Sequence, residues 1–243
     1  MPDHPPSPSP VALVAAAGLA VGGVIGIVVL LLLGPVAGVL ALAVVAVAVA
    51  AACWLAAGAV VLHLVGGAPL DPATAGAARL ANLVESVALT VGIPEPALRL
   101  VDDPAPNALV TGPDPRRATF VVTSGLLVTL DRLALEAVVA QQLSLIREAH
   151  THRRDVAVAV AGTAGLVLAP LARVAARAAG AEPGADVAAI TVTRFPPGLL
   201  AALEAVAAAP EVSTSTALVP LWFAPPGGTD ELALRLEILR ELV

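Results

Sequence analysis

The sequence predicts an α+β protein: an N-terminal hairpin of two transmembrane helices, then a mainly helical domain with a small β-sheet. Three observations carry this. Hydrophobic residues make up 58% of the 243 positions, where soluble domains sit at about 45–50%, and the mean hydropathy is +0.91. The excess includes two long uncharged runs near the start, separated only by Gly34-Pro35. After residue 67 the pattern changes to helical spacing and short β-branched runs, bounded by Gly, Pro and Asp clusters.

Residues 1–10, rich in Pro and Ser, read as a disordered lead with no basic cluster of the kind a cleaved signal carries. Val11 to Leu33 is 23 residues without a charge, and roughly 20 apolar residues cross a bilayer core as a helix. Val36 to Val65 is a second such run, with His63 near its end. Inside lipid each backbone must satisfy its own polar groups, so both runs have to be helical and the tight break makes them a hairpin over 11–66. Gly18, Gly22 and Gly26 recur every four residues and share a face. Two readings stay open for them: a packing seam, within the hairpin or between protomers, or chance in a Gly- and Ala-rich helix.

A hairpin returns the chain to its starting side. Arg79, Arg99, Arg116 and Arg117 follow it, whereas the Gly34-Pro35 turn is uncharged. The positive-inside rule then places the domain over 67–243 in the cytoplasm, behind a multi-pass anchor in the plasma (inner) membrane, with the lipid bilayer as first partner. Net charge is −6, lysine is absent and no basic tract exists, so nucleic-acid binding has no support. Cys53 is the only cysteine, which excludes a disulfide or a cysteine-based zinc site within one chain.

Within the domain, residues 73–91 show helical spacing through Leu80, Leu83, Val84, Val87 and Leu89, with Asp71-Pro72 as the expected cap. Gly92 and Pro94 end that helix. Residues 98–101, 107–111 and 118–123 read as short strands, and 131–146 as a Leu- and Ala-rich helix. The uncharged stretch 156–172 is short for a span and is expected as a buried or membrane-apposed helix, with Pro170 perturbing its end. Further helices are expected over 198–208 and 231–243.

Gly92-Ile93-Pro94-x-Pro96, Pro106-Asn107-Ala108-x-x-Thr111-Gly112 and the segments that follow them, in order, resemble the HtpX-like and type 1 CAAX prenyl protease group of membrane zinc metallopeptidases: the first its entry to the first strand, the second its Asn-Ala edge strand. Val122-Thr123-Ser124-Gly125-Leu126-Leu127 and Leu135-Glu136-Ala137-Val138-Val139-Ala140 resemble the approach to its zinc helix. Glu182-Pro183-Gly184-Ala185-Asp186 resembles its Glu-x-x-Ala-Asp motif, and Leu221-Trp222-Phe223-Ala224-Pro225 and Arg235-Leu236-Glu237-Ile238-Leu239 its closing segments. The resemblance implies a metallopeptidase-like domain over 67–243.

It also implies His-Glu-x-x-His at 141–145, where two histidines one turn apart share a zinc and the Glu activates water. The chain has Gln141, Gln142 and Leu145 there. Leu145 has no donor atom, Gln141 offers a neutral amide, and Gln142 has no proton-accepting carboxylate. Glu182 matches the family's third metal ligand and Asp186 a retained carboxylate, although the two would equally serve to cap or solvate a helix near Arg173 and Arg177. The expectation is a degenerate site, with no catalytic residue and no bound cofactor. Such a protein works by binding an active paralogous peptidase, a membrane protein or a peptide, or keeps the fold for structure alone.

By resemblance, an extended peptide is expected along the edge Asn107, Ala108, Leu109 and Thr111, since strand addition needs no metal; Asn107 would alternatively hold that strand's own backbone. An alternative for catalysis keeps zinc at a displaced site formed by His150, His152 and Glu182. The two histidines diverge on a helix and converge only in an extended turn.

Overall fold

The computed structural model describes residues 9–164, 169–180 and 184–242. In chain order the elements are helices α1 (Pro10–Leu33) and α2 (Pro35–Val65), strand β1 (Ala68–Pro69), helix α3 (Ala77–Val91), strands β2 (Ala97–Val101), β3 (Ala108–Thr111) and β4 (Thr119–Thr123), and helices α4 (Ser124–Thr129), α5 (Arg132–Arg147), α6 (His150–Ala164), α7 (Ala169–Ala178), α8 (Ala185–Thr193), α9 (Pro196–Ala207) and α10 (Thr229–Arg240). They fall into two compact units, Met1–Val61 with His152–Gly180, and Leu62–Thr151 with Ala181–Val243.

In the first unit α1 and α2 are long and apolar enough to cross a membrane. The Ser9 hydroxyl caps α1 by accepting from the Ala12 N–H at 3.2 Å, and Pro10 takes the first-turn position where its missing N–H costs nothing. Gly34 ends α1 at φ 93°, a conformation that suits glycine, and Pro35 starts α2. The glycines resolve into a seam within the hairpin. A Cβ at Gly18 would meet the Ala46 carbonyl oxygen at 2.3 Å, one at Gly22 the Leu42 oxygen at 2.8 Å, and one at Gly26 the Leu42 side chain at 2.8 Å. Glycine here permits backbone-to-backbone approach, and dispersion accumulates along the seam. The outward faces carry exposed Leu31, Leu32, Val47 and Leu55.

Where a helix is expected over 156–172, the described residues are helical over His150–Ala164 (α6) and Ala169–Ala178 (α7), and residues 165–168 lie outside the described residues. Helix α6 starts earlier than expected, at His150, and Pro170 lies within α7. Val156 to Val160 are buried. Arg154 Nε donates to the Ala179 carbonyl at 3.1 Å, a cation at the C-terminal end of α7. The His152 ring stands edge-on to Trp54, centroids 4.8 Å apart.

In the second unit the sheet order is β1-β2-β4-β3, with β2 and β4 parallel and the outer pairs antiparallel. Strand β1, only two residues long, has no sequence signal of its own. Helix α3 begins at Ala77, not at residue 73: Asp71 accepts from the Ala73 N–H at 2.8 Å in a local turn instead of capping the helix. Leu80, Leu83, Val84 and Val87 face the core, while Leu89 is 76% exposed. Asp131 caps α5 through the Ala134 N–H at 2.8 Å, as the pattern at 131 suggests. Helix α5 is the axis of this unit, packed against α3, α8, α9 and β3 and buried from Ala137 to Ile146.

The seam yields a contrast. Gly18→Ala should destabilise the hairpin by about 1–3 kcal/mol through overpacking, whereas Gly23→Ala, with nothing within 4 Å of the added Cβ, should not. Thermal unfolding of the two variants in the same detergent checks this; equal midpoints would remove the seam's role.

Candidate functional site

Helix geometry decides which side chains α5 presents together. Gln141 and Leu145 are four apart and share a face, with Gln142 beside them. All three are buried, at 5%, 3% and 1% exposure respectively. Burial makes their hydrogen bonds an accounting question, since an unpaired polar atom there carries its full desolvation cost.

The Gln142 amide nitrogen donates to Gln141 Oε1 at 2.6 Å, and Gln141 Nε2 donates to Asp186 Oδ1 at 3.2 Å. Asp186 lies in the first turn of α8, where the helix dipole favours an anion. Its carboxylate receives a two-pronged contact from α10: Arg235 Nε to Oδ2 and Nη2 to Oδ1, both 2.8 Å. Such fork-to-fork pairs are among the stronger hydrogen-bonded ion pairs. Arg235 Nη1 donates to the Phe223 carbonyl at 2.8 Å, and the guanidinium lies over the Phe223 ring, 5.2 Å from its centroid. A continuous polar chain thus runs Gln142–Gln141–Asp186–Arg235–Phe223. Among the described residues, Gln142 Oε1 is buried without a hydrogen-bond donor, as is Ser144 Oγ.

These contacts bear on what the cluster can hold. Leu145 has no lone pair. Gln141 uses its oxygen for Gln142 and its nitrogen for Asp186, and the Asp186 carboxylate is shared with a guanidinium. Imidazole and thiolate ligands are missing from this face, so the donor set does not suit zinc. Among the described residues no three His, Cys, Asp or Glu side chains group to hold a metal. Glu182 lies outside the described residues. Asp186 pairs with Arg235.

His150 and His152 sit on α6, two positions apart, where side chains diverge by about 200°. His150 Nε2 is 3.4 Å from Glu148 Oε2, and His152 faces Trp54.

Asn107 is 3% exposed and its side chain is fully engaged. Its Oδ1 accepts from the N–H groups of Ala108 and Ala224 at 3.0 and 3.2 Å, and its Nδ2 donates to the Ala224 carbonyl at 2.7 Å. Its backbone exchanges bonds with Thr123 Oγ1 at 2.9 and 3.1 Å. Asn107 therefore holds backbone, the alternative the sequence left open, and Ala108, Leu109 and Thr111 are each 0% exposed. Sequence reasoning missed Arg235 and Phe223 as members of the cluster. Their segments were visible as matching motifs, but nothing local to them marks a partner 49 residues away.

Residues 74–213, more than half of the chain, match the family model described as Peptidase family M48. Among curated proteins, a protease HtpX homolog of Dictyoglomus thermophilum is 34% identical over 191 residues, covering 63% of each chain. One of Caldanaerobacter subterraneus subsp. tengcongensis is 39% identical over 111 residues, 45% of this chain and 35% of the relative. Another, of Dictyoglomus turgidum, is 33% identical over 162 residues, 53% of each. The chain thus spans between 35% and 63% of the length of these relatives. No solved structure matches. The matched family, the agreement with HtpX homologues and the two apolar N-terminal helices converge: the chain is an HtpX-like, membrane-associated member of peptidase family M48.

Proposed function

We propose that this chain is a catalytically inactive member of its family that works by binding, as a scaffold or regulator of an active paralogous peptidase, or as a receptor for a membrane protein or peptide. Family members are normally zinc enzymes, so the reading turns on whether this helix can hold and use zinc. The observation that carries it is the chemistry at 141, 142 and 145. A hydrolytic zinc site needs two lone pairs one turn apart and a base beside the bound water. Here those positions supply a leucine and two amides that are bonded to each other, and one of them also to Asp186. An amide titrates far outside the range useful for general-base catalysis.

The anchor fits a multi-pass protein of the plasma membrane with its domain in the cytoplasm, supported by the arginines that follow the hairpin. A displaced zinc site at His150, His152 and Glu182 is the other reading. The helical placement of both histidines weighs against it.

Metal content separates the two. The purified full chain should contain far less than one zinc per molecule and show no chelator-sensitive cleavage of an unfolded protein substrate. Stoichiometric zinc lost in both His150→Ala and His152→Ala would establish the displaced site instead. A second expectation concerns Gln142, 1% exposed. Gln142→Glu, measured by denaturant unfolding without metal, should destabilise by roughly 2 kcal/mol or more, because it buries a carboxylate beside the Gln141 oxygen. Gln142→Met removes a buried acceptor that lacks a donor and should cost less. The reverse order would show that the site still accommodates an acid.

A further inference from the structure

Strand β3 ends the sheet, and an end strand offers unpaired backbone groups to any extended segment that reaches it. Which groups point outward follows from the antiparallel ladder. The Asn107 carbonyl accepts from the Thr123 N–H at 3.1 Å and so points into the sheet. The alternation along a strand then sends the Ala108 carbonyl out of the edge. At that point the Phe223 N–H arrives, donating to it at 2.7 Å. One residue farther on, the Asn107 side chain reproduces the two bonds a paired backbone would make, accepting from the Ala224 N–H and donating to its carbonyl. Residues Ala108 to Thr111 are at most 1% exposed as a result of all that covers them. The segment Trp222–Ala224 therefore sits where an added strand would begin.

What holds this segment is unusual in its position. Arg235 donates to the carbonyl of the same Phe223 whose N–H bonds Ala108, and it stacks on the Phe223 ring. The same guanidinium is fixed by both oxygens of Asp186, which also accepts from Gln141. One side chain thus joins the turn of α5 at 141–142 to the edge of the sheet.

We propose that Trp222–Ala224 is an internal ligand of the β3 edge, and that Arg235 is the positioning residue that keeps it there. An extended polypeptide gains this edge only when the Arg235 hold on Phe223 is released. The partner class is set by the acceptor and donor on view: a segment in extended conformation whose N–H meets Ala108 and whose next residue fits the Asn107 amide. This goes beyond the proposed loss of catalysis and stands apart from it, since zinc content decides that reading and backbone exchange decides this one.

The test is hydrogen exchange by mass spectrometry on the full chain in lipid nanodiscs, comparing wild type, Arg235→Met and Arg240→Met. Arg240, on the same helix, pairs with exposed Glu204 and serves as the control. In Arg235→Met, amides of 106–112 and 221–226 should exchange at least tenfold faster, with α3 and α9 unchanged. Added peptide Val-Pro-Leu-Trp-Phe-Ala-Pro-Pro, the sequence of 219–226, should restore protection to 106–112. Unchanged exchange, uniform acceleration across the domain, equal acceleration in Arg240→Met, or opening that the peptide does not reverse would each overturn the proposal. Should Arg235→Met fail to fold, Phe223→Pro removes the donor to Ala108 and leaves the Arg235–Asp186 pair. Trp222, at φ −66° and ψ 150°, already has the conformation a following proline prefers. That variant should open the same strand, and protection as in wild type would again overturn the idea.

Discussion

The Arg235–Asp186 pair is the interaction on which the domain's functional face depends. Neither partner is fully exposed, with side chains at 13% and 22%, so the charges are screened less than a surface pair and the geometry is fixed by two parallel bonds. Removing either partner would leave the other half-buried and uncompensated, the costly way to break such a pair. Around it the polar groups arrange in order of their needs: Gln141 turns its nitrogen toward the carboxylate, which leaves its oxygen for Gln142. The two glutamines are thus not idle replacements. They close a polar chain at the centre of an otherwise apolar helix.

That helix is held in the core by apolar packing. From Ala137 to Ile146 every residue of α5 is buried, and most are Leu, Val or Ala. Burial of one such side chain contributes about 1.5–3 kcal/mol, and α5 touches helices α3, α8 and α9 and strand β3. Its place in the core rests on Leu135, Val138, Val139 and Leu143, all 0% exposed, and none of these is a metal-ligand position in the family pattern. Packing and coordination are separable burdens on such a helix.

Local signals were readable and long-range ones were not. Asp131 caps the helix that the sequence starts there, because a cap is a contact across three residues, whereas Ser9, read as part of the N-terminal lead, caps α1. Gly34-Pro35 breaks the hairpin where it stands in sequence, and the glycine spacing of α1 became a seam only once Leu42 and Ala46 were placed against it. Asp71, read as a cap, forms a turn instead, since the same side chain serves both and only the following backbone decides. The partners of Asn107 and Asp186 lie 117 and 49 residues away. Spacing and periodicity carry no information at that range. The motifs marked these residues as important without saying what they touch.

The join between α2 and the sheet has a consequence for encounter rates. Helix α2 ends at Val65 and β1 begins at Ala68, so only Gly66 and Gly67 separate them, a reach of roughly 10 Å at full stretch. Arg99 donates to the Gly67 carbonyl at 2.6 Å, and that glycine is packed against the Leu100 carbonyl, which shortens the free tether further. In a membrane-associated chain, so short a join keeps the domain in a thin layer rather than a volume. Any partner in that same layer would be met at a raised effective concentration.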